Sequence, residues 1–193
     1  EKIPNLKIVR TVSAILETSV PSVVILAVKP QIMDETLPDL KRFVGKETTF
    51  LSVAAGKTLG YFKKHLGEDA QVVRAMPNTP AAVKRGITVY VPNANVPKQQ
   101  SALCGELLSS VGEAVLVGEE GLMDPVTAVS GSGPAYVFLL IEVMAKAGVN
   151  AGLPPDLAMR LARSTVSGSG ELARLSEEAP SQLRINVTSP GGT

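Results

Sequence analysis

Apolar positions fall into two textures along the chain. From residue 23 to residue 117, short apolar runs alternate with stretches of helical spacing. Val23–Val28 (VVILAV) is a continuous apolar run that stops at Lys29-Pro30, and Ile32, Met33, Leu37, Leu40 and Phe43 then recur at helical spacing. Thr49–Ala54 (TFLSVA) predicts a second strand closing on Ala55-Gly56, followed by a short helix over Thr58–Leu66 with Thr58 as its cap. Gln71–Ala75 predicts a third strand, which ends in the loop Met76-Pro77-Asn78-Thr79-Pro80. Gly86–Val91 alternates and predicts a strand with one wetter face; Gln99–Val111 predicts a helix and Glu113–Val117 a last short strand. This rhythm predicts an α/β domain with a parallel sheet covered on both faces, doubly wound through right-handed crossovers.

After Gly121 no strand is predicted. Helical patterns run over Ser132–Asn150 and Pro155–Glu178, the second opened by Pro154-Pro155-Asp156. Gly168 and Gly170 lie inside it, where each costs about 1 kcal/mol relative to Ala. They mark either a kink or a close approach by another helix. The domain boundary is placed at Gly118–Gly121, giving a sheet domain over 1–120 and an all-α domain over 121–193. Tyr136 to Ile141 are consecutive apolar residues, more than one helix face can bury against a small sheet domain, so a homodimer or larger assembly is expected.

Composition narrows the function classes. The 193 residues carry 19 basic and 18 acidic side chains, a net charge of +1, with the basic ones scattered. A nucleic-acid partner is not expected, because phosphate binding needs a concentrated basic surface. The one cysteine, Cys104, forms no internal disulfide and reads as a small core residue. His65, alone in a polar helix end, gives no metal site. The longest apolar runs, Val23–Val28 and Ala135–Ile141, fall short of the roughly 20 residues of a membrane span, so no membrane partner is expected. The start, EKIPNLKIVR, lacks the apolar stretch of a signal peptide and lacks Met, which reads as a beginning inside a longer protein.

Candidate chemistry sits at the strand ends, since open α/β sheets bind ligands outside the carboxyl ends of their strands. Lys29, just past a buried strand, suits a phosphate or carboxylate, or is a surface lysine that ends the strand. The small residues of Ser52–Gly56 let a ligand lie against backbone, or make a tight turn. Pro77 and Pro80 stiffen the loop around Asn78 and Thr79. Three such features at successive strand ends weigh more than any one. Ser130-Gly-Ser-Gly-Pro-Ala135 reads as a helix start, with or without an anion on its free amides. The chain ends in VTSPGGT, whose glycines and hydroxyls suit a carboxylate or form a loose loop. Walker, GxSxG, HExxH and GxGxxG motifs are absent.

AVKPQ at 27–31, SVAAG at 52–56, AMPNTP at 75–80, VSGSGPAYVF at 129–138 and VTSPGGT at 187–193 together resemble the pyrroline-5-carboxylate reductase family, in that family's order and separations. The resemblance implies a Rossmann-type NADP-binding domain followed by an all-α dimerisation domain. It implies reduction of L-1-pyrroline-5-carboxylate to L-proline, the last step of proline biosynthesis, by a cytoplasmic enzyme using NADPH, with NADH as the other candidate. On it, Ala27, Lys29, Pro30, Ala54, Ala55, Gly56, Pro77, Asn78 and Thr79 line the cofactor. Val187, Ser189, Gly191, Gly192 and Thr193 hold the substrate. No metal, covalent nucleophile or general acid is implied; the protein positions hydride donor and cyclic imine.

The chain departs from the family at three places. Only 28 residues precede Lys29, and none forms the family's opening strand and GxGxxG-like loop. Ala14 stands where the family often has Asn on the adenosine side. The signature stops at Thr193, without the residue and helices that normally follow. The chain thus reads as truncated at both ends, with little reductase activity expected of it alone. The alternatives are another Rossmann-type imine or hydroxyacid reductase, or a truncated, non-catalytic dimerising chain.

Overall fold

A computed structural model of the chain describes residues 6–15, 20–45 and 47–189. Two compact units divide it, Glu1–Ser132 and Gly133–Thr193.

The first unit is built on a five-stranded sheet in the order β1 (Val23–Leu26), β2 (Thr49–Ser52), β3 (Gln71–Met76), β4 (Gly86–Pro92), β5 (Gly112–Leu116). Side chains alternate across it. Phe50 and Val72 face α1 (Met33–Leu40) and α2 (Leu59–Leu66), where Met33, Leu37, Phe62 and Leu66 close one core. Leu51, Val73, Ala75 and Tyr90 face α3 (Lys98–Ser109) and pack with Cys104 and Leu108. Helices on both faces explain why these strands read as apolar runs. α2 is capped as its sequence predicts: the Tyr61 N–H donates to Thr58 Oγ1 at 3.0 Å.

One expectation fails. The β1–β2, β2–β3 and β4–β5 pairs are parallel, but β3 and β4 run antiparallel. A parallel pair needs a crossover of a dozen or more residues. Only residues 77–85 join β3 to β4, in a short 3-10 turn that ends at Lys84 in the left-handed region. The other connections each carry a helix and return parallel. At the β4–β5 edge the backbones approach closely: a Cβ on Gly112 (φ +148°) would collide with the Gly86 carbonyl.

Residues 120–132 lie within this unit. They begin with a 3-10 turn over Glu120–Leu122 that leads into α4 (Met123–Val126), whose Met123 is fully buried against Val89 and Val91. A π turn over Thr127–Gly131 follows.

The second unit holds α5 (Gly133–Asn150), α6 (Pro155–Leu175) and α7 (Pro180–Asn186), a short polar helix the apolar pattern does not predict. α5 and α6 meet through small residues. Ala145, Ala158 and Ala162 are its buried hydrophobics, while Phe138, Leu139, Leu140, Val143, Leu157 and Leu172 stay exposed. Open space surrounds Gly168 and Gly170.

One segment bears on the expectation of no membrane span. Glu120–Asn150 is long and apolar enough, by length and composition only, to cross a membrane. Ser132 is a bend within it, between the π turn and α5.

Candidate functional site

The carboxyl ends of β1, β2 and β3 lie side by side, because the three strands are parallel neighbours. Leu26, Ser52 and Arg74 are level across them. A few residues further on, each chain leaves the sheet, at Lys29-Pro30, Ala55-Gly56 and Pro77-Asn78. The Val53 N–H donates to the Leu26 carbonyl at 3.3 Å, extending the β1–β2 contact past the paired register.

Each exit has its own geometry. Ala27 and Lys29 are exposed, and Pro30 opens a 3-10 turn that leads into α1. The Lys29 ammonium has no ion pair or hydrogen bond among the described residues. Ala54 is buried, its N–H held by Ser52 Oγ at 3.3 Å. Ala55 and Gly56 are exposed; Gly56 turns the chain at φ +75°, with nothing within 4 Å of where a Cβ would stand. Pro77 and Asn78 are half-buried and Thr79 exposed. Asn78 Oδ1 accepts from the Ile87 N–H at 3.0 Å, so this side chain also pins the entry to β4.

Two polar clusters border these ends that the sequence reading missed. Arg74, buried on β3, places Nη1 2.8 Å from Glu120 Oε1. The same oxygen accepts the Leu59 N–H at 2.7 Å, the first amide of α2. A charge inside the apolar strand QVVRAM signals a partner, but Glu119 and Glu120 fall at the expected domain boundary. The second cluster is exposed. Asp34 accepts from the Tyr61 hydroxyl and faces Lys57 at 3.4 Å and His65 at 4.0 Å. The Tyr61 hydroxyl holds the Asp34 carboxyl below its ordinary value, with Lys57 adding to the effect. Burial, then the bond to Asp34, pushes Tyr61 up to about 12. His65 thus has carboxylate company that its sequence neighbours do not show.

The SGSGP stretch is where α5 starts: the π turn ends at Gly131, Ser132 is a bend, and the helix begins at Gly133. The Ser132 N–H is spent on the Thr127 carbonyl at 2.8 Å. Gly131 gives room to Met76 at the end of β3, where a Cβ would meet the Met76 methyl.

Of the expected substrate residues, Val187 and Ser189 belong to the second unit, just past α7, and are exposed. Gly191, Gly192 and Thr193 lie outside the described residues.

Comparison with known proteins shows what the chain is similar to. Residues 120–193 match the family described as pyrroline-5-carboxylate reductase dimerisation. A pyrroline-5-carboxylate reductase of a Synechocystis strain is 46% identical over 91% of this chain and 64% of its own length. The chain is similar to pyrroline-5-carboxylate reductases over about nine tenths of its length. It spans 64% of that relative and 63% of the Pseudomonas aeruginosa enzyme, which is 44% identical. The family's structure from Coxiella burnetii superposes with a TM-score of 0.83 at 39% identity, over 89% of this chain and 64% of that one. The Plasmodium falciparum enzyme, solved with NADP bound, superposes with a TM-score of 0.80 at 34% identity, over 89% and 65%.

Proposed function

We propose that this chain takes part in the reduction of L-1-pyrroline-5-carboxylate to L-proline with NADPH, as a homodimer or larger assembly. The observation that carries the reading is the alignment of three strand ends, β1 to β3, in a chain similar to these reductases. NADP bound in the Plasmodium relative supports NADPH as the cofactor, with NADH the alternative.

The residues present fit a dinucleotide. Lys29 offers an uncommitted cation beside the sheet, and the open backbone at Gly56 lets a flat or anionic group come close. Ala55 and Gly56 are exposed for such contact, and Pro77-Asn78 is held rigid by the bond to Ile87. The dinucleotide, when bound, supplies hydride to the imine carbon. The chain's part is positioning, which can supply much of such a rate. Val187, Ser189, Gly191, Gly192 and Thr193 hold the substrate in this reading, supported by their match to the family signature.

The dimerisation match supports a second copy of this chain, rather than lipid, against the apolar helices of the second unit. A cytoplasmic location belongs to the same reading, supported by the lone, buried thiol of Cys104.

The test is NADPH titration followed by turnover with pyrroline-5-carboxylate. Dinucleotide binding that weakens when Lys29 becomes Ala supports the reading. A folded chain that binds neither NADPH nor NADH sinks it.

A further inference from the structure

We infer that Glu120 is a positioning residue for the cofactor turn at Ala54–Lys57: its carboxylate fixes the start of α2 and thereby the turn that precedes it. The inference rests on the proposed dinucleotide reading.

The turn is tied at its two ends and open between them. Ala54 is tied by Ser52 Oγ and Lys57 faces the exposed Asp34 at 3.4 Å, but Ala55 and Gly56 are exposed and Gly56 sits in the left-handed region. Its downstream support is the first turn of α2. The amides of a helix's first turn have no partner within the helix, so side chains or water must supply one. Thr58 Oγ1 serves the Tyr61 N–H. Glu120 Oε1 serves the Leu59 N–H at 2.7 Å, across 61 residues of sequence.

That carboxylate is itself held in place. Arg74 Nη1 lies 2.8 Å from the same oxygen, and the Arg74 side chain is only 7% exposed. Arg74 is level with Ser52, the last residue of β2 before the turn. Asp124, at 3.7 Å and 93% exposed, is a poor substitute partner for the guanidinium. One oxygen therefore joins β3, the start of α2 and the segment opening the dimerisation match at residue 120. The negative charge also suits the positive end of the helix. The Leu59 side chain packs into both neighbouring apolar clusters, so a loosened Leu59 backbone shifts the turn rather than only its own amide.

The experiment compares wild-type chain, Glu120→Ala and Glu120→Gln by NADPH titration, steady-state kinetics and amide exchange. Gln keeps an acceptor for the Leu59 N–H; Ala does not. The inference expects Glu120→Ala to raise Kd and KM for NADPH about tenfold, with kcat within about twofold, and Gln to recover most of the loss. It also expects the Leu59 amide to exchange about tenfold faster in the Ala variant while β2 and β3 stay protected. Wild-type NADPH affinity in a folded Ala variant overturns it, as does an unchanged Leu59 exchange rate. If Ala does not fold, the Gln variant decides: near-wild-type affinity and Leu59 protection support the inference, and loss of both overturns it. A wild-type chain that binds no dinucleotide sinks the functional reading instead, while Leu59 exchange still reports on the cap.

Discussion

Asn78 stands just past β3 with its Oδ1 committed to the Ile87 amide and no partner for its Nδ2 among the described residues. Asn78→Ala leaves a half-buried N–H without its acceptor, which should cost about 1 kcal/mol of stability in urea unfolding. Asn78→Asp keeps the acceptor and should lose less. Equal stability of Ala and wild type would show that the bond to Ile87 contributes nothing. Cys104 is a different kind of residue, buried with no access to solvent and pushed up to about 11 by that burial. The core accepts only the neutral thiol. Its ordinary value is 9.0, so the unfolded chain ionises first. The stability tied to the neutral form is whole below pH 9, and falls as pH rises toward about 11. Cys104→Val should flatten that alkaline loss in denaturant titrations between those values. A loss of the same size in both proteins would place its origin elsewhere, for instance at Tyr61, which is pushed up to about 12.

Elements carry the next set of constraints. Gly112 pairs with Gly86 where β4 and β5 begin, and a side chain there meets a carbonyl that cannot move without breaking the ladder. Gly112→Ala should therefore destabilise by about 2–3 kcal/mol, measured as a shift in Tm or urea midpoint. A neutral effect would mean the edge strand relaxes freely. The strands and most helices were legible in the sequence, because buried strands are apolar runs and the helices between them keep their period. Direction was not legible between Met76 and Gly86, since periodicity has no polarity; only the short connection decides it. The helix start in SGSGP was legible, with Gly133 and Pro134 opening α5, but the π turn before it, where Gly131 makes room for Met76, was not. The strand-end residues proposed for the cofactor stand out in the sequence because strand ends are local features. Glu120 does not, because its partners Leu59 and Arg74 are distant in sequence and only the fold brings them together.

At the scale of the whole molecule, the described residues of the second unit bury little of their own. Their buried hydrophobics are Ala145, Ala158 and Ala162, while Phe138 is 61% exposed, Leu139 57% and Leu172 57%. Large apolar side chains left open on several helix faces call for a covering surface. A second copy of the chain is the occupant favoured by the dimerisation match over 120–193. Its closure buries aromatic and leucine anchors, and a few such anchors carry most of an interface's affinity. Phe138→Asp places a charge among them, where desolvation adds to the lost contact. It should weaken self-association by more than about 30-fold, equivalent to at least about 2 kcal/mol. The sheet unit should keep its thermal transition, because no residue of its three core clusters is altered. Analytical ultracentrifugation from nanomolar to micromolar concentration reads the first effect, and amide exchange in β2 and β3 the second. A wild-type chain that stays monomeric at micromolar concentration removes the second copy as occupant. Co-sedimentation of that monomer with phosphatidylcholine vesicles would then assign the apolar segment at 120–150 to lipid instead.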